Sequence, residues 1–409
     1  MITLAEARAR DRADPLARFR ARFRLPRGAI YLDGNSLGAL PRATPARVRG
    51  VVEAEWGRDL IRSWNDHGWI DAPARVGAKI APLVGAKPSE VVVADSTSVA
   101  LFKLLAAALA LRPGRRIIVT EPGNFPTDLY VARGLERIGL CEVRLADPGD
   151  IEAALEEEVA ALLLTQVHYK SAAVHDMARL TAAAHARGAL VLWDLSHSAG
   201  AIEVDLNGAG ADLAVGCGYK YLSGGPGAPA FLYVAERHQD RIENPISGWM
   251  GHAAPFDFHD DYRARPGIVR MLTGTPPVVA LAALEVGVDL VAEIGVAALA
   301  AKSRALSAML VEEVEARCGR FGIELASPRD PKARGSHVSF RHPEAHALSQ
   351  ALIAEGVIGD FRAPDTLRLG LAPAYLRFVD VWKAAATLEA ILAERRWDRP
   401  EPRARRAVT

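Results

Sequence analysis

The residues best suited to chemistry in this sequence lie in one stretch, between Asp194 and Lys220. Asp194 ends the apolar run GALVLWD, and Lys220 follows a second apolar run, ADLAVGCGY, just before a glycine-rich loop. Apolar runs of this length are typical of buried parallel strands. A lysine at the end of such a strand is costly to bury unless its ammonium is neutralised or paired. A Schiff base between the lysine and a carbonyl cofactor meets this condition.

Pyridoxal phosphate (PLP) is the commonest cofactor of that kind, and it uses an acidic partner for its ring nitrogen. Asp194 would keep that nitrogen protonated, so that the ring can accept electrons from a bound substrate. His197 lies three residues after Asp194, and Tyr219 directly precedes Lys220. Two buried strands with a surface lysine are the simpler alternative, but the combination of these four residues favours PLP.

Composition limits the class of protein. The chain has 409 residues, of which 50% are hydrophobic, so it can bury a large core in two domains. Its net charge of +1 gives no indication of a nucleic-acid or membrane partner. Cys141, Cys217 and Cys318 have no paired spacing, so neither a disulfide framework nor a metal site is predicted. With no apolar run long enough to span a membrane and no signal peptide, we expect a cytoplasmic enzyme.

Short apolar strands alternate with helices from about residue 90 to residue 235. This pattern predicts a parallel sheet with helices on both faces, in which ligands bind at the carboxyl ends of the strands. Hydroxyl residues 96–98 precede an apolar helix and suit a phosphate group. From about residue 280, long amphipathic helices and two strands predict a smaller α+β domain. The residues at or just after the predicted strand ends are Thr97, Phe125, Thr165, Asp194 and Lys220.

Three further positions each have a structural and a functional interpretation. Ser36 lies in a glycine-containing turn whose backbone N–H groups could face a carboxylate or phosphate. Trp64, with His67 and Trp69, either covers the core or grips an aromatic substrate. Arg368 alternates with leucines along a predicted strand, so it is either a surface residue or a bidentate clamp for a substrate carboxylate.

Taken together, these motifs resemble those of the kynureninases, fold-type I PLP enzymes of the aspartate aminotransferase superfamily. The resemblance extends along nearly the whole chain, through YLDGNSLG, DSTSVALFK, NFPTD, DLSHSAG, CGYKYLSGGPG, GWMGH, LTGTPP and RLGLAP, in that order. The combination of YLDGNSLG, GYKYL and GWMGH is specific to kynureninases, whereas the Asp–Lys pair indicates only the superfamily.

The resemblance implies an α/β fold with a mostly parallel seven-stranded sheet, helices on both of its faces and a smaller α+β domain. We divide the chain into an N-terminal segment that joins the small domain (1–50), a large PLP-binding domain (51–275), the small domain (276–395) and a disordered tail (396–409).

A role for each site residue also follows from the resemblance. Lys220 would form the Schiff base and Asp194 would pair with the ring nitrogen, with His197 beside it, while Phe125 would stack on the ring. The other cofactor contacts that it implies are Thr97, Ser98, Thr127, Asp128, Thr165 and Tyr219, with Trp249 and Thr275 coming from the second subunit of a homodimer. The substrate contacts that it implies are Ser36 and Trp64 at the aromatic end and Arg368 at the carboxylate.

The implied reaction is hydrolysis of the Cβ–Cγ bond of L-kynurenine to anthranilate and L-alanine in tryptophan breakdown, with 3-hydroxykynurenine as a second candidate substrate. Trp64 and Thr275 stand where animal relatives have His and Asn, which favours L-kynurenine. Lys220 would move the α-proton, and Tyr219 would donate a proton to the product. Ala100 differs from the Asn that relatives often carry at this position.

Three other classes of protein share parts of this pattern. A cysteine desulfurase or selenocysteine lyase needs a nucleophilic cysteine on a mobile loop, which neither Cys217 in an apolar strand nor Cys318 at a helix end provides. An aminotransferase would leave YLDGNSLG, Trp64 and GWMGH without a shared purpose. A non-catalytic regulator with this fold would need a DNA-binding segment, and no such motif precedes the core.

Overall fold

A seven-stranded sheet forms the centre of the computed structural model, which describes residues 1–399. Residues 400–409, most of the predicted disordered tail, lie outside the described residues. The strands are, in chain order, β1 Phe23–Arg24, β2 Ile30–Tyr31, β3 Leu40–Pro41, β4 Val91–Val93, β5 Ile117–Thr120, β6 Glu142–Leu145, β7 Val159–Thr165, β8 Leu190–Asp194, β9 Leu213–Cys217, β10 Ala230–Val234, β11 Glu324–Leu325, β12 His337–Arg341, β13 Val357–Ile358, β14 Asp360–Arg362 and β15 Thr366–Gly370.

Helices cover both faces of this sheet and build the second layer of the molecule. They are α1 Leu4–Ala13, α2 Thr44–Gly50, α3 Ser63–Asp66, α4 Ala72–Ile80, α5 Thr97–Leu111, α6 Pro126–Arg137, α7 Met177–Ala186, α8 Glu236–Gln239, α9 Val278–Ile294, α10 Val296–Cys318, α11 Ala345–Ala354 and α12 Phe378–Ala393. Among the described residues, no helix is both long and apolar enough to cross a membrane.

The large sheet has the strand order β4-β10-β9-β8-β7-β5-β6, and only β10 runs antiparallel to its neighbours. Every residue of β7, β8 and β9 is buried, as expected for strands covered by helices on both sides. The register places Thr165 beside Asp194 and Asp194 beside Val215, so three strand ends meet at one edge. The predicted fold class is confirmed.

The smaller antiparallel sheet, in the order β11-β12-β15-β14, packs against this edge. All five residues of β15 are buried, so the interpretation of Arg368 as a surface residue was wrong. The alternation of polar and apolar residues along β15 does not mark an exposed face, because both faces of this strand are covered. The side chains that face the large sheet come from alternate residues, His337 and Ser339 on β12 and Arg368 on β15.

The N-terminal segment packs on β13 and on the start of α12, in the C-terminal part of the chain. β2 pairs in parallel with β13, and the Asp11 carboxylate accepts hydrogen bonds from the backbone N–H groups of Phe378 and Val379. Helix α2 is followed directly by a π-helical segment, Val51–Asp59. The domain limits near residues 50 and 275 stay a proposal.

Candidate active site

A cavity of about 230 Å³ opens at the carboxyl ends of the central strands. Every cofactor contact predicted within one chain lies at this cavity, although the role of each residue stays a proposal. The lining residues are Ser96, Thr97, Ser98, Phe125, Thr127, Asp128, Thr165, Asp194, Ser196, His197, Tyr219 and Lys220.

Lys220 is buried at the centre of this cavity. Its Nζ lies within hydrogen-bond distance of Nε2 of His197, at 3.0 Å, and 5.6 Å from the centre of the Phe125 ring. The backbone around it is held by the N-terminal loop, because the Gly38 N–H donates to the Tyr219 carbonyl at 2.8 Å. A Cβ atom at Gly38 would come within 2.2 Å of the Lys220 carbonyl oxygen, so only glycine allows this approach.

Two carboxyl groups approach the lysine from neighbouring elements. Asp194 ends β8 and accepts a hydrogen bond from the Ser196 N–H at 2.7 Å, and burial raises its pKa. Asp128, in the first turn of α6, is fully buried and neither of its oxygens has a hydrogen-bond partner among the described residues. Burial, followed by the charge of Asp194, raises the pKa of Asp128 well above its usual range. Burial therefore favours the neutral form of Asp128.

His197 and Tyr219 flank the lysine and are both held neutral. Burial, followed by the charge of Lys220, lowers the pKa of His197 well below its usual range. Burial raises the pKa of Tyr219 well above its usual range, which favours the protonated phenol. A phenol that stays protonated can still donate a proton.

The start of α5 places hydroxyl groups on one wall of the cavity. Ser96 caps the helix through its Oγ, which accepts from the Val99 N–H at 3.4 Å, while Thr97 and Ser98 follow in the first turn. Asp95 adopts a positive φ of 54°. Lys103, fully buried, fixes this turn by donating to Asp95 Oδ2 at 2.5 Å and to the Met271 carbonyl at 2.9 Å. Sequence reasoning missed Lys103, although a lysine inside the apolar helix ALFKLLAAALAL was a signal.

Arg368 sits in a buried cluster next to the cavity. Its Nε donates to Asp360 Oδ1 at 2.8 Å, and its Nη2 donates to Asp360 Oδ2 at 2.5 Å and to Ser36 Oγ at 3.0 Å. Hydrogen bonds and charge from Arg368 lower the pKa of Asp360 despite its burial. Asp360 was missed from the sequence, because its pairing with Arg368 across β14 and β15 requires knowledge of the strand order.

The turn around Ser36 differs from the expected one. The backbone N–H groups of Ser36 and Leu37 both donate to the Asp33 carbonyl, so they do not face an anion. Ser36 contributes its hydroxyl instead, which donates to Asp360 Oδ2 at 2.8 Å. Burial and the nearby charge of Asp360 raise the pKa of Asp33 to about 7.

Five predicted residues do not line the cavity within one chain: Ser36 and Arg368, which belong to the neighbouring cluster, and Trp64, Trp249 and Thr275. Trp64 packs edge-on against Trp69, with ring centres 6.0 Å apart. Trp249 is 37% exposed beside Phe256, and Thr275 is exposed just before α9.

The cavity fits PLP on the chemistry of its side chains. The unpaired buried oxygens of Asp128 and Thr165 lie on the same walls as Lys220 and Asp194, so polar groups of a bound molecule would satisfy them. The Phe125 ring offers an aromatic face, and the helix start with its hydroxyls suits a phosphate.

A larger groove of about 970 Å³ lies elsewhere, between the N-terminal segment and α12. We do not assign the site to it, because several of its charged side chains are already paired with one another. Asp380 pairs with Arg20 and Arg377, and Arg396 pairs with Glu355.

Comparison with known proteins agrees with this geometry. Residues 299–388 match the family model described as the kynureninase C-terminal domain. The chain is 51% identical over 416 residues to a kynureninase of Burkholderia mallei (strain SAVP1), with 100% of both chains covered. It is 48% identical over 417 residues to a kynureninase of Pseudomonas fluorescens, again with full coverage of both.

Solved structures show the same fold at low sequence identity. A cysteine desulfurase from Thermococcus onnurineus NA1 superposes with a TM-score of 0.78 at 20% identity, covering 92% of this chain and 98% of the other. A variant of the lyase C-DES, solved with glycine covalently linked to its PLP cofactor, gives a TM-score of 0.77 at 15% identity, covering 92% and 99%.

The buried Asp128 generates a prediction for the cofactor-free protein. Because the folded-state pKa is raised, ionisation opposes folding, and stability falls as the pH rises above the unfolded value of about 4. Asp128→Asn should therefore raise the free energy of unfolding by about 1–3 kcal/mol at pH 8, with a smaller gain at pH 5.

Urea unfolding at both pH values measures this effect, with the exposed Asp289→Asn as the control. A variant that is no more stable than the parent at pH 8 would contradict the assigned protonation state.

Proposed function

The chain belongs to the kynureninase family, and from this premise we propose that it hydrolyses L-kynurenine to anthranilate and L-alanine with PLP as cofactor. The observation that carries the proposal is the convergence of Lys220, Asp194 and Phe125 on one cavity in a chain of this family. We propose L-kynurenine rather than its 3-hydroxy relative as the preferred substrate, on the identities of Trp64 and Thr275.

We propose that the side chains of the cavity divide between the parts of the cofactor. Lys220 would hold the aldehyde carbon, Asp194 the ring nitrogen and Phe125 the ring face. Thr97, Ser98 and Tyr219 would bind the phosphate at the start of α5. Thr127, Asp128, Thr165 and His197 would complete the walls. When bound, the cofactor withdraws electrons from the α-carbon of an attached amino acid.

Proton transfer would be performed by residues of this chain. Lys220 Nζ is proposed to take the proton from the α-carbon, since its hydrogen bond to the neutral His197 leaves it without a carboxylate partner. Tyr219, kept protonated by burial, would donate a proton to the carbon left after cleavage. The neutral Asp128 would lie beside Asp194 without adding a second negative charge.

Arg368 is proposed to bind the substrate carboxylate, with Ser36 next to it. Its guanidinium is oriented by Asp360 through two hydrogen bonds, and Nη1 contacts the Tyr169 carbonyl. Orientation by a buried partner lowers the entropy that substrate binding would otherwise cost. The carboxylate would share the guanidinium with Asp360 rather than meet a free arginine.

We propose a homodimer in which Trp249 and Thr275 reach the site of the second subunit. Both residues lie on exposed segments and neither lines the cavity of its own chain. Large apolar side chains are exposed near these segments, which is typical of a surface that another chain covers. The exposed apolar residues are Ile246, Trp249, Phe256, Phe258 and Val279.

A cysteine desulfurase mechanism is disfavoured by the state of the thiols. All three cysteines are buried, and burial raises the pKa of Cys141 to about 11, that of Cys318 to about 12 and that of Cys217. A thiol in that state is a poor nucleophile. Free, buried cysteines also suit the reducing cytoplasm, where we propose that the enzyme works.

The function is tested by adding L-kynurenine to the PLP-loaded protein and measuring anthranilate by fluorescence and alanine in parallel. We expect equimolar products without any added amino acceptor. Lys220→Ala should abolish both turnover and the visible absorbance of the bound cofactor, because the covalent attachment is lost, whereas the exposed Lys332→Ala should retain both. Turnover that requires added pyruvate would identify an aminotransferase instead.

Tyr219→Phe tests the proton donor. We expect kcat to fall by about 10²–10⁴-fold if the phenol is the general acid. The substrate KM should change little, and the exposed Tyr130→Phe serves as the matched control. An unchanged kcat would remove Tyr219 from the mechanism.

Arg368→Ala should raise KM by about 10–100-fold, since hydrogen bonds to a charged group contribute about 1.5–3 kcal/mol. The single variant also removes the two hydrogen bonds that Arg368 gives the buried Asp360, which keeps only Arg362 and Ser36 as partners, so it should be less stable. The double variant Arg368→Ala/Asp360→Asn should recover stability but not KM. If KM recovers with stability, or if only kcat falls, Arg368 does not bind the carboxylate.

A further inference from the structure

One turn of the chain, residues 168–171, touches both halves of the candidate site, and no step of the proposed function uses its side chains. The turn follows shortly after β7, and an isolated bridge between Val167 and Val174 closes the hairpin that contains it. Within the hairpin, the Ala172 N–H donates to the His168 carbonyl at 2.8 Å. The turn is therefore a compact unit against which other segments can be held.

His168 ties this turn to the loop that carries Phe125. Its Nε2 lies 2.8 Å from the Gly123 carbonyl oxygen, and the backbone N–H of Ser171 donates to its Nδ1 at 3.1 Å. A nitrogen that accepts from an N–H group carries no proton, so the neutral ring has its proton on Nε2 and donates it to the Gly123 carbonyl. Burial lowers the pKa of His168, which favours this neutral ring. Both nitrogens of His168 are thus bonded to backbone groups.

The loop before Phe125 is held at two points by the hairpin. His175, on the second arm of the hairpin, pairs with Glu121 at the start of the loop, at 3.0 Å. His168 holds Gly123 in the middle of the loop, where the backbone has a positive φ of 78°. From there Asn124 Oδ1 accepts the Phe125 N–H at 2.7 Å. The position of the Gly123 carbonyl therefore helps to set where the Phe125 ring enters the cavity.

The same turn reaches the smaller sheet through its next two residues. The Tyr169 carbonyl accepts a hydrogen bond from Arg368 Nη1 at 2.5 Å, and the Lys170 carbonyl accepts one from Ser339 Oγ. The Tyr169 ring also packs edge-on against Phe125, with the ring centres 5.3 Å apart. One short turn thus contacts the ring that would stack on the cofactor and the guanidinium that would bind the substrate.

We propose that His168 is a positioning residue, whose hydrogen bond to the Gly123 carbonyl holds the Phe125 ring in a fixed position relative to Arg368. The inference rests on the proposed function, because it concerns the groups that would contact the cofactor ring and the substrate carboxylate. His168 does not itself line the cavity. An effect of its replacement on cofactor or substrate binding therefore passes through the loop and the turn.

The test compares three replacements of His168. His168→Leu removes both hydrogen bonds, His168→Gln places an amide N–H near the position of Nε2, and His168→Asn places its amide oxygen near Nδ1. Gln therefore keeps the donor to the Gly123 carbonyl, whereas Asn keeps only the acceptor for the Ser171 N–H.

The first readout is the dissociation constant of PLP, obtained by titrating the apoprotein, together with the visible circular dichroism of the bound cofactor. For the Leu variant we expect a dissociation constant raised by about 3–10-fold, the factor for one lost hydrogen bond, and a weaker circular dichroism band. The KM for L-kynurenine should rise by about 2–5-fold, a smaller effect because Arg368 keeps both of its hydrogen bonds to Asp360. The Gln variant should recover both constants, and the Asn variant should resemble the Leu variant.

His342→Leu is the matched control. His342 also accepts a backbone N–H at its Nδ1, from Glu344 at 3.0 Å, but it does not line the cavity. Its replacement should leave the PLP dissociation constant and KM unchanged, whatever happens to the unfolding temperature.

A Leu variant that unfolds at a lower temperature but binds PLP as the parent does overturns the inference, because His168 would then only stabilise its own hairpin. An Asn variant as good as the Gln variant overturns it too, and an unchanged KM removes the link to Arg368. If the Leu variant does not fold, the Gln and Asn variants decide between these outcomes. Failure of the proposed function looks different, since the parent enzyme would then bind no PLP or release no anthranilate.

Discussion

The site depends on the burial of one lysine amine at the edge of a parallel sheet. Lys220 is 7% exposed and its amine faces the neutral Nε2 of His197 rather than a carboxylate. By contrast, the fully buried Lys103 forms an ion pair with Asp95 and holds the turn before α5. A buried amine without a counter-ion is costly as an ammonium, and bonding to a carbonyl carbon relieves that cost. The burial of Lys220 thus favours the reaction for which we propose it.

The N-terminal loop and the smaller sheet complete this environment. The loop at Gly38 holds the Tyr219–Lys220 backbone, and no side chain fits between them. The side-chain amide of Asn35 covers Gly370 on β15 in the same way, since a Cβ at Gly370 would lie 1.6 Å from it. These two close contacts, at Gly38 and at Gly370, hold the N-terminal loop between the large and small sheets. Arg368 and His337 consequently reach the cavity region from strands far away in sequence.

Much of the large sheet and its strand-end residues could be predicted from the sequence. Continuous apolar runs identify β7, β8 and β9, and parallel strands must bring Thr165, Asp194 and Lys220 to one edge. The pairing of Arg368 with Asp360 could not be predicted, because it depends on which antiparallel strands are neighbours. His168 gave no signal either, since a histidine after a strand is ordinary until the loop that accepts its hydrogen bond is known. Ser36 was predicted in the right place but for its backbone N–H groups, which bond the Asp33 carbonyl instead.

The most direct test of the account identifies the lysine that carries the cofactor. The PLP-loaded protein is treated with borohydride, which reduces the carbon–nitrogen double bond to a stable single bond, and its peptides are then mapped by mass spectrometry. We predict that the added mass lies on the peptide containing Lys220. Labelling of Lys103 or of any other lysine, or no labelling at all, would contradict the account.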